Sequence, residues 1–265
     1  MIERAGGKIL ASVTDGVGRV VFNQPEKRNA MSVEMWAGMV ESLDAFEADP
    51  EVRVVVLAGA GDKAFVSGAD ISQFEKNRAD FDAQREYDKI TSSGRRRLAA
   101  FPKPVIASIR GFCLGGGLGI AMNTDLRIAA DDAQFGIPAA KLGIAYTMDM
   151  VSLLTSLVGP AHARMMLYSG ERIDAAEAQR IGLVNRTVPV EQLEQVVNKL
   201  ASTLAANAPL TMRAAKLTVT AAITDASLRE MGAVDEAIAA CFDSEDYREG
   251  RRAFMEKRKP DFKGR

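Results

Sequence analysis

The chain predicts an α/β fold that gives way to an all-helical C-terminal region, on three observations. Short apolar runs at 52–57, 105–109 and 126–130 read as buried strands and alternate with helical stretches. Two of these runs lead into glycine-bearing loops, 63–71 and 110–119. From about residue 190 onward the strand signals cease and helical patterning continues to the end. With 265 residues, 47% of them hydrophobic, the chain can bury one large domain or a domain with an appendage. No linker or low-complexity stretch separates the parts, and the change of pattern sets a boundary between 1–195 and 196–265.

Taken in order, 8–13 and 19–22 flank the turn signal Asp15-Gly16 and predict a hairpin. Ser32 is placed to cap the next helix, with Glu34 in its first turn. Met35, Met39, Leu43 and Phe46 follow at helical spacing, which marks them as core. Asp49-Pro50 stops that helix before the strand at 52–57. Residues 79–100 are polar and weakly helical and end in Arg95-Arg96-Arg97, which reads as a solvated face. Beyond the strands at 126–130 and 134–136, a helix over 148–158 is broken by Gly159-Pro160 and resumes at 161–168. Asp174 and Glu177 have capping-box spacing, Gly182 suits a left-handed helix end, and 184–188 is a short strand. Helices are then expected at 190–206, 209–223, 228–242 and 246–257.

Composition excludes several classes. Net charge is −1, from 34 basic and 35 acidic residues, so no global field marks a nucleic-acid or membrane partner. Cys113 and Cys241 are the only cysteines and suggest a reducing compartment. Residues 1–8 lack an apolar signal core, and no segment has the apolar length of a membrane span. A soluble, cytoplasmic protein is the expectation. One histidine and no paired cysteines argue against a zinc site.

The loop Arg110-Gly111-Phe112-Cys113-Leu114-Gly115-Gly116-Gly117-Leu118-Gly119 carries the chemistry. An apolar strand enters it, glycines turn it, and a helix leaves it. Bare backbone lets a ligand approach, and the first N–H groups of the helix can hold an anion or an oxygen that becomes one. The same glycines also suit tight helix–sheet packing. The second loop, Lys63-Ala64-Phe65-Val66-Ser67-Gly68-Ala69-Asp70-Ile71, also follows a buried strand, so N–H groups from two strand ends can converge on one oxygen.

With these loops, Asn23-Gln24-Pro25-Glu26-Lys27-Arg28-Asn29-Ala30-Met31, Gln134-Phe135-Gly136-Ile137-Pro138, the stretch Ala178-Gln179-Arg180-Ile181-Gly182-Leu183-Val184 and the tail Glu256-Lys257-Arg258-Lys259-Pro260 complete a pattern. It resembles the enoyl-CoA hydratase/isomerase (crotonase) superfamily over nearly the whole chain. The resemblance implies a spiral of repeated ββα units with a C-terminal helical region that assembles homotrimers or homohexamers. It implies a coenzyme A thioester as substrate, with coenzyme A part of that substrate and no separate cofactor. It assigns the oxyanion hole to the N–H groups of Ala69 and Gly116. Two fixed donors stabilise a thioester enolate more than the neutral carbonyl. Lys27, Arg28, Ala30, Ser67, Gly68, Asp70, Ile71 and Gly115 fall on the substrate side. Phe254 and Lys257 belong to a tail that can reach the cofactor end. Ser72 replaces a lysine that often contacts phosphate. The variable segment 79–100 lines the acyl pocket, which makes Glu86 and Tyr87 contact candidates.

The family's hydratases use two glutamates as acid and base, and here those positions are Gly119 and Ala139. Efficient hydration is therefore doubtful by sequence, and a lyase, isomerase, decarboxylase or hydrolase reaction stays open. Asp149 is the nearest carboxylate past Gly143 and can be a displaced base; it equally suits the first turn of a helix capped by Thr147, the favoured reading. Tyr146 can donate a proton or simply pack. Two other classes compete: a non-catalytic acyl-CoA-binding protein, and a serine hydrolase with Ser67 or another serine as nucleophile and His162 as the only available imidazole base.

Overall fold

The computed structural model describes residues 1–70 and 81–265, and for 81–84 it describes the backbone. Ile71 and Ser72 lie outside the described residues. The N-terminal strands are β1 (Ile2–Arg4), β2 (Ile9–Thr14) and β3 (Val17–Phe22). Strand β2 pairs antiparallel with β3 across Asp15-Gly16, as the turn signal predicts. Strand β1, absent from the sequence reading, adds antiparallel to β2.

After helix α1 (Val33–Ala48) the chain repeats one move. A strand joins a large sheet, a shorter strand joins a small sheet, and a helix follows. The pairs are β4 (Val54–Gly59) with β5 (Ala64–Val66), β6 (Val105–Ile109) with β7 (Phe112–Leu114), and β8 (Leu126–Ala130) with β9 (Gln134–Gly136). The accompanying helices are α2 (Phe81–Ala99), α3 (Gly116–Met122) and α4 (Ala139–Leu142). Strands β10 (Arg172–Asp174) and β11 (Arg186–Val188) close the sheets. The large sheet runs β1-β2-β3-β4-β6-β8-β11 and the small one β10-β9-β7-β5. From β3 to β11 the large sheet is parallel. This is the spiral the resemblance implies. The sequence reading ran one strand directly into the triple glycine; the structure interposes β7, because Gly111 at φ 61° turns the chain from one sheet to the other.

The large sheet is buried on both faces, which explains why its strands read as continuous apolar runs. Val55 and Leu57 face the core between the sheets, while Val54 and Val56 face the opposite side. There helix α7 (Leu193–Ala206) covers them with Leu193, Val197 and Ala201. The expected 195/196 boundary falls inside this helix. Between the sheets, Phe22 and Phe65 meet edge to face at 5.5 Å, a contact worth roughly 1 kcal/mol beyond its burial.

Several local expectations hold. Ser32 Oγ accepts the Met35 N–H at the start of α1, whose Met35, Met39, Leu43 and Phe46 are buried. Helix α5 (Met148–Ser169) is interrupted at Gly159, φ 75° and ψ 163°, before Pro160. Asp174 accepts the Glu177 N–H at the start of α6 (Ala175–Arg180), but the Glu177 carboxylate turns to Arg180 instead of reaching back. The tail comprises α8 (Pro209–Ile223), α9 (Met231–Asp243) and α10 (Glu245–Glu256). Among the described residues, no helix is long and apolar enough to cross a membrane.

Candidate active site

The site forms where the loop after β5 and the start of α3 meet. Asn29 anchors it from beneath. Fully buried and at φ 56°, it accepts the Gln24 N–H and donates to the carbonyls of Ala60 and Ala64 at 2.9 and 2.8 Å. That lays the 28–31 segment alongside 67–70: the Ser67 N–H reaches Arg28 O, the Met31 N–H reaches Gly68 O, and the Asp70 N–H reaches Met31 O. Successive N–H groups of an extended chain alternate sides. With Asp70 donating to Met31, the Ala69 N–H points the opposite way, toward α3.

Gly116 is the first residue of α3, so its N–H has no partner within the helix. A Cβ placed on Gly116 would lie 3.9 Å from Ala69 N. The close approach depends on Gly117, where a Cβ would stand 2.1 Å from the Val66 carbonyl oxygen. Gly68, at φ 125°, aims the Ala69 amide. Both readings of the triple glycine therefore hold together: Gly117 permits tight packing, and that packing presents Gly116.

Ala69 and Gly116 line one cavity of about 270 Å³. Trp36, Tyr87, Asp88, Thr91 and Arg95 form one wall; Ile144, Ala145, Tyr146, Thr147 and Met150 form another. The Tyr146 hydroxyl lies 3.4 Å from the Cβ position of Gly115, beside the candidate oxyanion hole. Of the two contact candidates on α2, Tyr87 lines the cavity, whereas Glu86 is exposed and pairs with Lys89 at 3.0 Å.

The arginine run is not one solvated face. Arg96 is exposed and Arg97 pairs with Asp44 and Glu47, but Arg95 is buried on the cavity wall. The physical reason is helical: consecutive residues point about 100° apart, so only one of the three can face the solvent squarely. Burial lowers the Arg95 pKa against the opposing pull of Asp149 and Asp88. Asp149 sits in the first turn of α5, half exposed, with Arg95 Nη2 at 3.7 Å, and is not among the cavity-lining residues. Partial burial opposes its charge, but the Thr147 hydroxyl and Arg95 outweigh that and hold its carboxyl below the usual range. Thr147 takes the N-cap position without making the expected side-chain cap bond.

Lys27 and Asp70 meet in an ion pair at 2.9 Å. The Arg28 guanidinium stacks on the Phe112 ring at 5.3 Å, with Arg172 at the same distance. Ala30 is buried beside them. Phe254 and Lys257 are not brought to this cavity within the protomer: Phe254 lines a separate apolar groove among the C-terminal helices, and Lys257 caps α10. Ser67 and His162 do not line the cavity either; His162 lies within electrostatic reach of Glu177. Among the described residues, no nucleophile–base pair lines this cavity for a serine hydrolase.

The two positions at which the resemblance places the hydratases' glutamates are packed. A Cβ at Gly119 would stand 2.6 Å from Met150 Cε, and Ala139 is buried in the core between the sheets. Sequence reasoning missed Trp36, Asp88, Thr91 and Met150 as site residues; they come from distant helices and carry no local motif.

Two facing sheets wound as a spiral, with backbone donors from two turns converging on one cavity, define a crotonase-like α/β protein. The chain matches the Enoyl-CoA hydratase/isomerase family over residues 12–265 and belongs to it. It is 38% identical over 254 residues to a crotonyl-CoA hydratase of Syntrophomonas wolfei, covering 96% of this chain and 97% of that one. It is 37% identical to a short-chain-enoyl-CoA hydratase of Clostridium acetobutylicum, with 92% of each covered. The crystal structure of an enoyl-CoA hydratase/carnithine racemase from Magnetospirillum magneticum superposes with a TM-score of 0.93 at 34% identity, over 97% of this chain and 96% of that one.

Proposed function

We propose that the protein binds an acyl-CoA thioester and stabilises its enolate between the N–H groups of Ala69 and Gly116, without the two-glutamate hydration mechanism. The observation that carries this reading is the convergence of the two loops on one cavity. Such donors act where charge develops, and each is worth about 3 kcal/mol of barrier. The proton chemistry differs from that of a hydratase, because Gly119 and Ala139 carry no ionisable group. Among the described residues that line the cavity, Asp88 and the hydroxyls of Tyr87 and Tyr146 are candidates to move a proton. Asp149, off the cavity wall and with a lowered pKa, suits the helix-end role better than that of a base. Lys27 and Arg28 supply positive charge for the phosphates of coenzyme A.

The C-terminal helices expose Val219, Ile223, Phe242, Phe254 and Met255 in the isolated protomer. Apolar exposure on this scale favours a homotrimer or homohexamer, with 196–265 as the assembling region. Cys113 and Cys241 are not disulfide-linked, which accords with a cytoplasmic protein.

The test is α-proton exchange of butyryl-CoA in D2O, read by mass spectrometry, with binding measured in parallel. Exchange catalysed by the protein supports an enolate-forming enzyme. Binding without exchange supports the alternative, a non-catalytic acyl-CoA-binding protein. No binding refutes the coenzyme A reading.

A further inference from the structure

We infer that the cavity takes an acyl group bearing its own carboxylate, and that Arg95 is the specificity residue that reads it. This rests on the thioester reading above and narrows its substrate class. Arg95 is 8% exposed and lines the cavity that also holds Ala69 and Gly116. One terminal nitrogen donates to Ser92 Oγ at 2.9 Å, while Nε is buried with no partner among the described residues. The Asp149 carboxylate, half exposed, forms an ion pair with Arg95 Nη2 at 3.7 Å, too long for a hydrogen bond, and leaves Nε unpaired among the described residues. On the same wall Trp36 Nε1 is also buried with no partner among the described residues.

Another arginine of this chain provides the contrast. Arg127 is equally buried, but its guanidinium donates to the carbonyls of Leu183 and Thr124, each at 2.8 Å. That is a structural arginine with Nε and Nη1 occupied. Arg95 instead faces a cavity with a donor unused. Orphaned buried donors are costly, and a native structure keeps them where a ligand completes them. The ligand must be an acceptor. A planar anion matches the guanidinium fork, and an alkyl chain would leave both donors dry. The cavity, about 270 Å³, suits a short acyl group.

The experiment is calorimetric binding of succinyl-CoA and butyryl-CoA, equal in chain length, to the wild-type protein and to Arg95→Met and Arg95→Lys. A charge-assisted hydrogen bond predicts that wild type prefers succinyl-CoA by roughly 10- to 100-fold. Arg95→Met should bring the ratio near one, and Arg95→Lys, with the charge but not the fork, should fall between. The wild-type ratio stands even if a variant fails to fold. Equal binding of the two thioesters by wild type overturns this inference alone. A preference that survives in folded Arg95→Met overturns the role of Arg95. No binding of either thioester overturns the coenzyme A reading and this inference with it.

Discussion

Met150 occupies the space that a side chain at Gly119 would enter, its Cε 2.6 Å from the Cβ position and its Sδ 3.1 Å away. The position at which the resemblance places a glutamate is thus a filled one, with a methionine of α5 packed onto the glycine of α3. Because the contact is the flexible end of a side chain, it can yield. Gly119→Glu alone is expected to gain little activity, since the carboxylate must share its space with Met150. Gly119→Glu combined with Met150→Ala should raise crotonyl-CoA hydration at least about tenfold over wild type, well inside the range of general acid–base contributions. Hydration followed by loss of the enoyl absorbance measures this; wild-type turnover as fast as the double variant's would refute the account.

Asp88 and Asp149 both lie near Arg95, and only Asp88 lines the cavity. In the exchange assay Asp88→Asn should slow α-deuteration by about 100-fold or more if it moves the proton. Asp149→Asn should change the rate by only a few fold. The reverse ranking would make Asp149 the base.

Gly117 sits against β5 with no room for a methyl group, the Val66 oxygen standing 2.1 Å from its Cβ position. Gly117→Ala must push α3 off the small sheet, costing about 1–3 kcal/mol of stability. It also displaces the Gly116 N–H, so the exchange rate should fall by about 100-fold or more. Thermal unfolding and exchange on the same sample test the coupling. A folded variant with full exchange would remove Gly116 from the chemistry.

Glu249 clamps the end of the chain: it accepts from Arg258, from Arg252 and from the Asp261 N–H at 3.1 Å. The hydrogen bonds from Arg258, then Arg252, hold its carboxyl well below the usual range. A lowered folded-state pKa means that the stabilisation is complete above the ordinary glutamate value of about 4.3 and is lost as pH falls through the folded value. The protection of residues 258–265 against hydrogen exchange, taken relative to the intrinsic rate at each pH, should therefore hold from pH 7 to about 5 and fall in stronger acid. Glu249→Gln should lower it at neutral pH, and protection independent of both would refute the clamp.

Much of the fold was legible from local chemistry. The turn at Asp15-Gly16, the Ser32 cap, the break at Gly159-Pro160 and the Asp174 cap all follow from residues within a few positions of one another. Strand β7 was not legible, because Phe112–Leu114 is only three residues long and exists by pairing with β5 and β9. Glu177 was read toward its own helix start and instead pairs with Arg180, one turn further along.

The two glycine-bearing loops that meet at the cavity were legible because glycine patterns reflect backbone geometry, which is written where it is used. The cavity wall was not. Arg95 and Arg96 are adjacent in sequence and equal in charge, yet one is buried on the cavity and the other is in solvent. That difference is set by the rotation of α2 against α1 and α5, a relation between helices far apart in the chain. Sequence by itself determined the apolar strands of the large sheet, the turns and the two glycine-bearing loops. Only the tertiary structure decided which side chains share the space in front of them, because that depends on packing between elements with no local signature.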